Sequence, residues 1–190
     1  ELPKAVLHYP IALLPEGEAF GLYALTGLEP GRNLFLTRDG RWIVPYTPAA
    51  IRAYPFRLAT LDDARQVLCF DEDSGQLVDA DDNPAALPFF GEDNGPHPEV
   101  GRILEFLMET DRSQQRTRRA LAALQEKGVI APWEAVVETK EKGRQAVSGL
   151  YRIDEAALNA LPAADFEELR QAGALVIAYT QMLSMQHLAN

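Results

Sequence analysis

Cysteine is almost absent from this 190-residue chain. The single thiol, Cys69, cannot close an intrachain disulfide, so nothing in the fold depends on an oxidising compartment, and a cytoplasmic location is expected. Histidine is equally scarce. His8, His97 and His187 lie far apart, with no second His or Cys at ligand spacing, which argues against a zinc site. No glycine loop has Walker or dinucleotide spacing, and no Gly-x-Ser-x-Gly elbow is present, so neither a phosphate cradle nor a strained catalytic serine is expected. No apolar run has the length of a membrane span. The least charged stretch, residues 172–190, is interrupted by Gly173, Thr180, Gln181, Ser184, Gln186 and His187, and reads as a core helix. Positive charge is in deficit, with 18 Lys+Arg against 28 Asp+Glu, a net charge of −10 and a pI near 4.8. That balance opposes a nucleic-acid partner and an anionic membrane face. The chain opens Glu1-Leu2-Pro3-Lys4 without Met, basic stretch or small-residue cleavage site, so no signal peptide is expected and the start is read as trimmed.

What remains is ordinary globular composition, 47% hydrophobic and 24% charged, enough chain for one domain over residues 1–190. Short apolar runs broken by Gly/Pro turns predict strands at residues 9–14 and 20–25. Asp39-Gly40 predicts a hairpin joining residues 34–37 to 42–44. Thr47-Pro48 opens a short helix over residues 49–53, ended by Tyr54-Pro55-Phe56, and strands follow at 56–59 and 66–70. Residues 71–98 turn acidic and rich in Gly and Pro, a long connector. From Pro98, Val100, Ile103, Leu104, Phe106, Leu107, Leu121 and Leu124 recur at helical spacing as far as Lys127-Gly128. The run Asp111-Arg112-Ser113-Gln114-Gln115 leaves open whether that helix is continuous. A second hairpin pairs residues 133–139 with 145–153 through a turn at 140–143, placing Ser148-Gly149 inside a strand. Helices are then expected from Asp154 to Leu161 and from Pro162 to Ala172. After Gly173 comes a terminal helix, with Leu175, Val176, Tyr179, Met182, Leu183 and Met185 facing inward. Strands, helix, strands and helices without strict alternation indicate α+β, antiparallel strands and hairpins with a long central helix and a C-terminal helical segment.

Few residues invite chemistry. Asp71, Glu72, Asp73, Asp79, Asp81 and Asp82 suggest a cation loop, but neither phase fits the calcium-hand spacing, so the loop is read as solvated and no metal is expected. No cofactor signature is present. Cys69 lies in the apolar run Val67-Leu68-Cys69-Phe70 and reads as a small core residue. Arg112, Arg116 and Arg119 share a helix face that can meet an acidic loop or partner. Trp42, Tyr46, Tyr54 and Phe56 cluster near prolines, a texture that lines peptide grooves or packs in cores.

Leu28-Glu29-Pro30-Gly31-Arg32-Asn33-Leu34-Phe35, Trp42, Tyr46-x-Pro48, Tyr54-Pro55-Phe56 and Phe70-Asp71-Glu72-Asp73-Ser74 stand in an order and spacing that resemble the bacterial SapC family. Gly149-Leu150-Tyr151-Arg152-Ile153-Asp154-Glu155, Leu158 with Leu161, and Gly173-Ala174-Leu175 before a Ser184-containing helix extend the resemblance over residues 8–188. It implies a link to surface-layer formation or export, and to outer-membrane receptor and flavin-dependent halogenase systems, and brings no catalytic residue set. The expectation is a non-catalytic accessory protein of a cell-envelope system. It would bind protein or peptide through Trp42, Tyr46, Tyr54 and Phe56. The alternative is a small-molecule binder or enzyme whose site lies where the acidic loop of residues 71–82, with Asp71 and Asp73, meets the helix face of Arg112, Arg116 and Arg119, with Asp71 or Asp154 as its acid.

Overall fold

The turn at Glu16-Gly17-Glu18 needs backbone at positive φ, and Gly17 takes 66° there, which folds the flanking apolar runs onto each other. In the computed structural model, which describes residues 1–29, 31–62, 64–79, 82–83, 85–139 and 143–188, these runs form β1 (Ile11–Glu16) and β2 (Ala19–Ala24). A one-turn helix, α1 (Leu2–Ala5), precedes them. Next come α2 (Ala49–Arg52), β3 (Phe56–Thr60), β4 (Gln66–Phe70) and the 29-residue α3 (Pro98–Glu126). The chain continues through β5 (Ile130–Pro132), β6 (Ala135–Thr139), β7 (Gly143–Val147) and β8 (Tyr151–Ile153). It ends in α4 (Glu155–Asn159), α5 (Ala163–Gln171), α6 (Ala174–Ser184) and a 3-10 turn, Met185–Leu188. The architecture is α+β, and α3 runs unbroken through residues 111–115.

The chain divides into two compact units, one of Glu1–Pro48 with Gln115–Asn190 and the other of Ala49–Gln114. In the first unit the sheet order is β2-β1-β8-β5. β1 and β2 pair along their whole length, Ile11↔Ala24 to Glu16↔Ala19, whereas β1 and β8 meet only at Leu13↔Tyr151. Two residues along, that register sets Ile11 opposite Ile153, and there a side chain from α6 replaces the direct bond. Gln181 Nε2 donates to the Ile11 carbonyl at 3.1 Å, and its Oε1 accepts from the Ile153 N–H at 2.9 Å. The Ser184 hydroxyl accepts from the Ile11 N–H at 2.9 Å. Both side chains are fully buried, and their polar atoms are satisfied by the backbone they bridge.

Leu13 and Ile153 of this sheet pack with Leu121 and Leu124 of α3, Leu158 of α4, Leu169 of α5 and Ile177 of α6. Ala12, beside Leu13, belongs to a second cluster with Trp133, Ala135 and Leu150, as alternation along a strand requires. The buried face of α6 is Ala174, Ile177, Ala178, Gln181 and Ser184. Of the residues expected inward, Leu175, Met182 and Met185 are partly buried against the core clusters. Val176, Tyr179 and Leu183 are exposed. The reason is steric and polar together: small residues let α6 approach the sheet, and Gln181 and Ser184 bond its backbone.

Two expected hairpins change form. Residues 34–44 make the Asp39-Gly40 turn, with Gly40 at φ 81°, but only the isolated bridge Leu36↔Trp42. The Asn33 side chain takes the Phe35 N–H at 2.8 Å, which competes with a ladder. The single strand expected over residues 145–153 breaks at Ser148-Gly149, where Gly149 sits at φ 82°. β7 pairs with β6 before the break, and β8 pairs with β1 and with the unexpected β5 after it. Residues 140–142 of the expected turn lie outside the described residues, as do Pro30, Asp63 and Asp81 of the expected turns and acidic loop.

In the second unit β3 and β4 form an antiparallel pair, Phe56↔Phe70 to Thr60↔Gln66. Phe56, Phe70 and Phe89 pack edge to face, with ring centroids 5.0 to 6.1 Å apart. Among the described residues the 71–98 connector contains a 3-10 turn, Glu72–Ser74, and the bridge Phe90↔Pro96. Cys69 is half-buried on β4.

Candidate functional site

A groove of about 570 Å³ opens in the first unit. One wall is built by a close backbone approach. A Cβ at Gly27 would stand 1.8 Å from the Arg32 carbonyl oxygen, so only glycine lets the chain close here. The Leu34 N–H then donates to the Thr26 carbonyl at 2.7 Å and the Leu25 N–H to the Pro10 carbonyl at 2.9 Å. This sets Pro10, Leu25, Leu28, Leu34 and Phe35 along the groove. Val136, Val137 and Glu138 of β6, Arg144 of β7, and His187 and Leu188 complete the lining. His187 Nε2 donates to the Val6 carbonyl at 2.8 Å, which fixes the ring.

Phe35 is held from behind by an aromatic cluster. It stacks on Trp42 at 6.4 Å and meets Tyr9 edge-on at 4.7 Å. The Trp42 indole N–H donates to the Tyr9 hydroxyl at 2.7 Å and to the Tyr46 carbonyl at 3.1 Å, and the Tyr9 hydroxyl donates to that same carbonyl. Burial pushes the Tyr9 phenol above its ordinary range, opposed by the bond from Trp42. These contacts make Trp42 and Tyr46 supports of the groove wall.

The groove's polar groups are few. Glu138 and Arg144 are cross-strand partners on the β6–β7 hairpin, and neither enters an ion pair among the described residues. Among the described residues no three His, Cys, Asp or Glu side chains gather in a way that could hold a metal ion.

The other residues singled out from sequence lie elsewhere. Trp42, Tyr46 and Arg116 belong to the first unit and Tyr54, Phe56, Asp71 and Asp73 to the second. Arg116 is exposed on α3. Tyr54, just before a cis Pro55, is exposed, and partial loss of solvent followed by the Asp71 carboxylate that its hydroxyl meets raise its phenol above the ordinary value. Asp71 also accepts from the Asp73 N–H at 3.1 Å, capping the 3-10 turn. Asp154 caps α4, accepting from Ala156 and Ala157 at 3.0 and 3.2 Å. Sequence reasoning missed Leu25, Val136, Val137, Glu138, Arg144 and Leu188, which come together only through tertiary contacts. In the sequence the Leu28–Phe35 stretch carries the family resemblance and, at residues 34–35, an expected hairpin strand, neither of which points to a groove.

The molecule is thus an α+β protein whose first unit offers an apolar groove beside a β-hairpin. The SapC family profile matches residues 1–190, and the chain belongs to that family. No curated protein and no solved structure matches it. Among the described residues no helix is long and apolar enough to cross a membrane.

Proposed function

We propose that this chain is a non-catalytic accessory protein that holds a segment of a protein partner in the groove of its first unit, serving a bacterial cell-envelope or surface-layer system. The carrying observation is the lining. Pro10, Leu25, Leu28, Leu34 and Phe35 share it with a strand of an isolated two-stranded sheet, a combination suited to apolar peptide side chains and main chain together. Asp71 and Asp154, the acids on which an enzymatic reading would lean, are engaged in capping, which favours binding over catalysis. In this reading Trp42 and Tyr46 hold Phe35 in place, and the protein works in the cytoplasm, where a fold without a disulfide is at home.

A random peptide display library panned on the full chain tests this. Peptides are expected to be enriched by the wild type and lost by Leu34→Arg, a half-exposed site where the substitution sets a cation in the groove without opening the core. Equal enrichment on both proteins, or none on either, would contradict the reading.

A further inference from the structure

We propose that α6 is a dimer interface, two copies of this chain pairing antiparallel across a twofold axis along the stripe Val176, Tyr179 and Leu183; this goes beyond the groove reading and does not depend on it. The three side chains are 61%, 45% and 65% exposed. Their spacing of three and four residues sets them on one face, and Ala172 and Gln186, both exposed, continue it at either end. Leu7, 67% exposed, follows Val6, whose carbonyl meets His187 one turn beyond Leu183, and adds apolar surface at that end. From Gln171 to Asn190 there is no Asp, Glu, Lys or Arg. An outward helix face ordinarily carries charge, as α5 does with Asp165, Glu167, Glu168 and Arg170. A contiguous apolar face without charge marks an interaction surface.

Charge selects the occupant. A lipid surface is met by Lys or Arg flanking the apolar face, and this helix has neither. A foreign protein is steered and told apart by charges around its contact, and α6 offers none to read. A second copy needs none. The unit that bears the stripe holds fourteen acidic and thirteen basic residues, so two such units approach each other without net repulsion. The stripe is also its own complement, as a twofold interface requires. An antiparallel pair centred between residues 179 and 180 sets Val176 against Leu183 of the partner subunit, and Tyr179 against Tyr179 of the partner subunit at the axis. Opposite ends of the two helix dipoles then lie together. The Thr180 hydroxyl donates to the Val176 carbonyl of its own helix, so it asks for no partner across the seam. Eleven residues make a short seam, which places the dimer among weak, reversible ones.

Sedimentation equilibrium of the full chain over a range of concentrations tests this. The mass is expected to rise from 21.0 kDa toward twice that value, with a midpoint on the order of 10–100 μM. Leu183→Glu sets a carboxylate in the seam and is expected to weaken association at least about tenfold. Its urea midpoint, measured where the wild type is monomeric, should stay at the wild-type value because the site is exposed. Val176→Lys, at the other end of the stripe, should show the same loss. Register is read by cross-linking in a Cys69→Ser background with a copper–phenanthroline oxidant. Tyr179→Cys should give a disulfide-linked dimer, because its two Cα atoms stand roughly 5–6 Å apart across the axis, and Val176→Cys alone should not. A wild type that stays monomeric at every concentration overturns the inference, even if its stripe captures some other protein. So does a dimer that neither charge substitution weakens. Cross-linking through Val176→Cys and not through Tyr179→Cys contradicts the antiparallel pairing.

Discussion

Gln181 completes the sheet where β1 and β8 part, supplying from a side chain the donor and acceptor that a neighbouring strand would otherwise present. Gln181→Leu strands the Ile153 N–H in the core and leaves the Ile11 carbonyl only the Ser184 hydroxyl at 3.4 Å, and urea unfolding should show a loss of about 2 kcal/mol, since a buried orphan costs roughly 1–3 kcal/mol. Ser184→Ala removes one acceptor and should cost about 1.5 kcal/mol. Gly27→Ala must displace the Arg32 carbonyl, so it should lower the melting temperature and weaken peptide capture together. Neither Gln181 nor Ser184 was legible as structural in the sequence. Their polarity counted there against a membrane span, and Ser184 toward the family resemblance, because the bonds that tie them to the sheet join residues 170 or more positions apart, or 28 positions in the case of Ile153.

At the scale of elements, local signals were read well and phases less so. Asp154 was legible as a cap because the geometry is confined to three residues, and Asp154→Ala should destabilise the protein by about 1 kcal/mol. The hairpin of β1 and β2 and the β3–β4 pair were legible for the same reason: turn chemistry and apolar runs are close in sequence. α6 was legible as a helix but its face only in half, Leu175, Met182 and Met185 packing inward and Val176, Tyr179 and Leu183 outward, because its stretch ALVIAYTQMLS contains no charged residue to mark an outer face. β5 has three residues, too short for a period. On α5, Glu167 meets the Arg170 guanidinium and the Gln171 amide, which hold its carboxyl down at about 2. A depressed folded value contributes stability above the unfolded carboxyl range near pH 4.5, lost as pH falls toward 2. The pair is exposed, so the effect is small. The difference in melting temperature between wild type and Glu167→Gln should shrink across that interval, and a constant difference would contradict it.

At the scale of the whole molecule, the negative charge is unevenly placed. Of 28 acidic and 18 basic residues, the second unit holds fourteen acidic and five basic, and the first holds fourteen and thirteen. The groove therefore lies in a nearly neutral unit, and the net charge of −10, legible at once from composition, belongs almost wholly to residues 49–114. Peptide binding in the groove should weaken only slightly as ionic strength rises, because one carboxylate and one guanidinium line it and no extended field is involved. Composition and motif order made the α+β class and the family legible. The groove was not, because its walls come from residues 10–35, 136–144 and 187–188, which no local pattern connects. The most direct test of the groove's role is amide hydrogen exchange on the full chain with and without a library-enriched peptide. Slowed exchange confined to residues 25–35, 135–138 and 187–188 is the predicted result. Slowing at residues 54–56 and 71–73, with none along the groove, would contradict it.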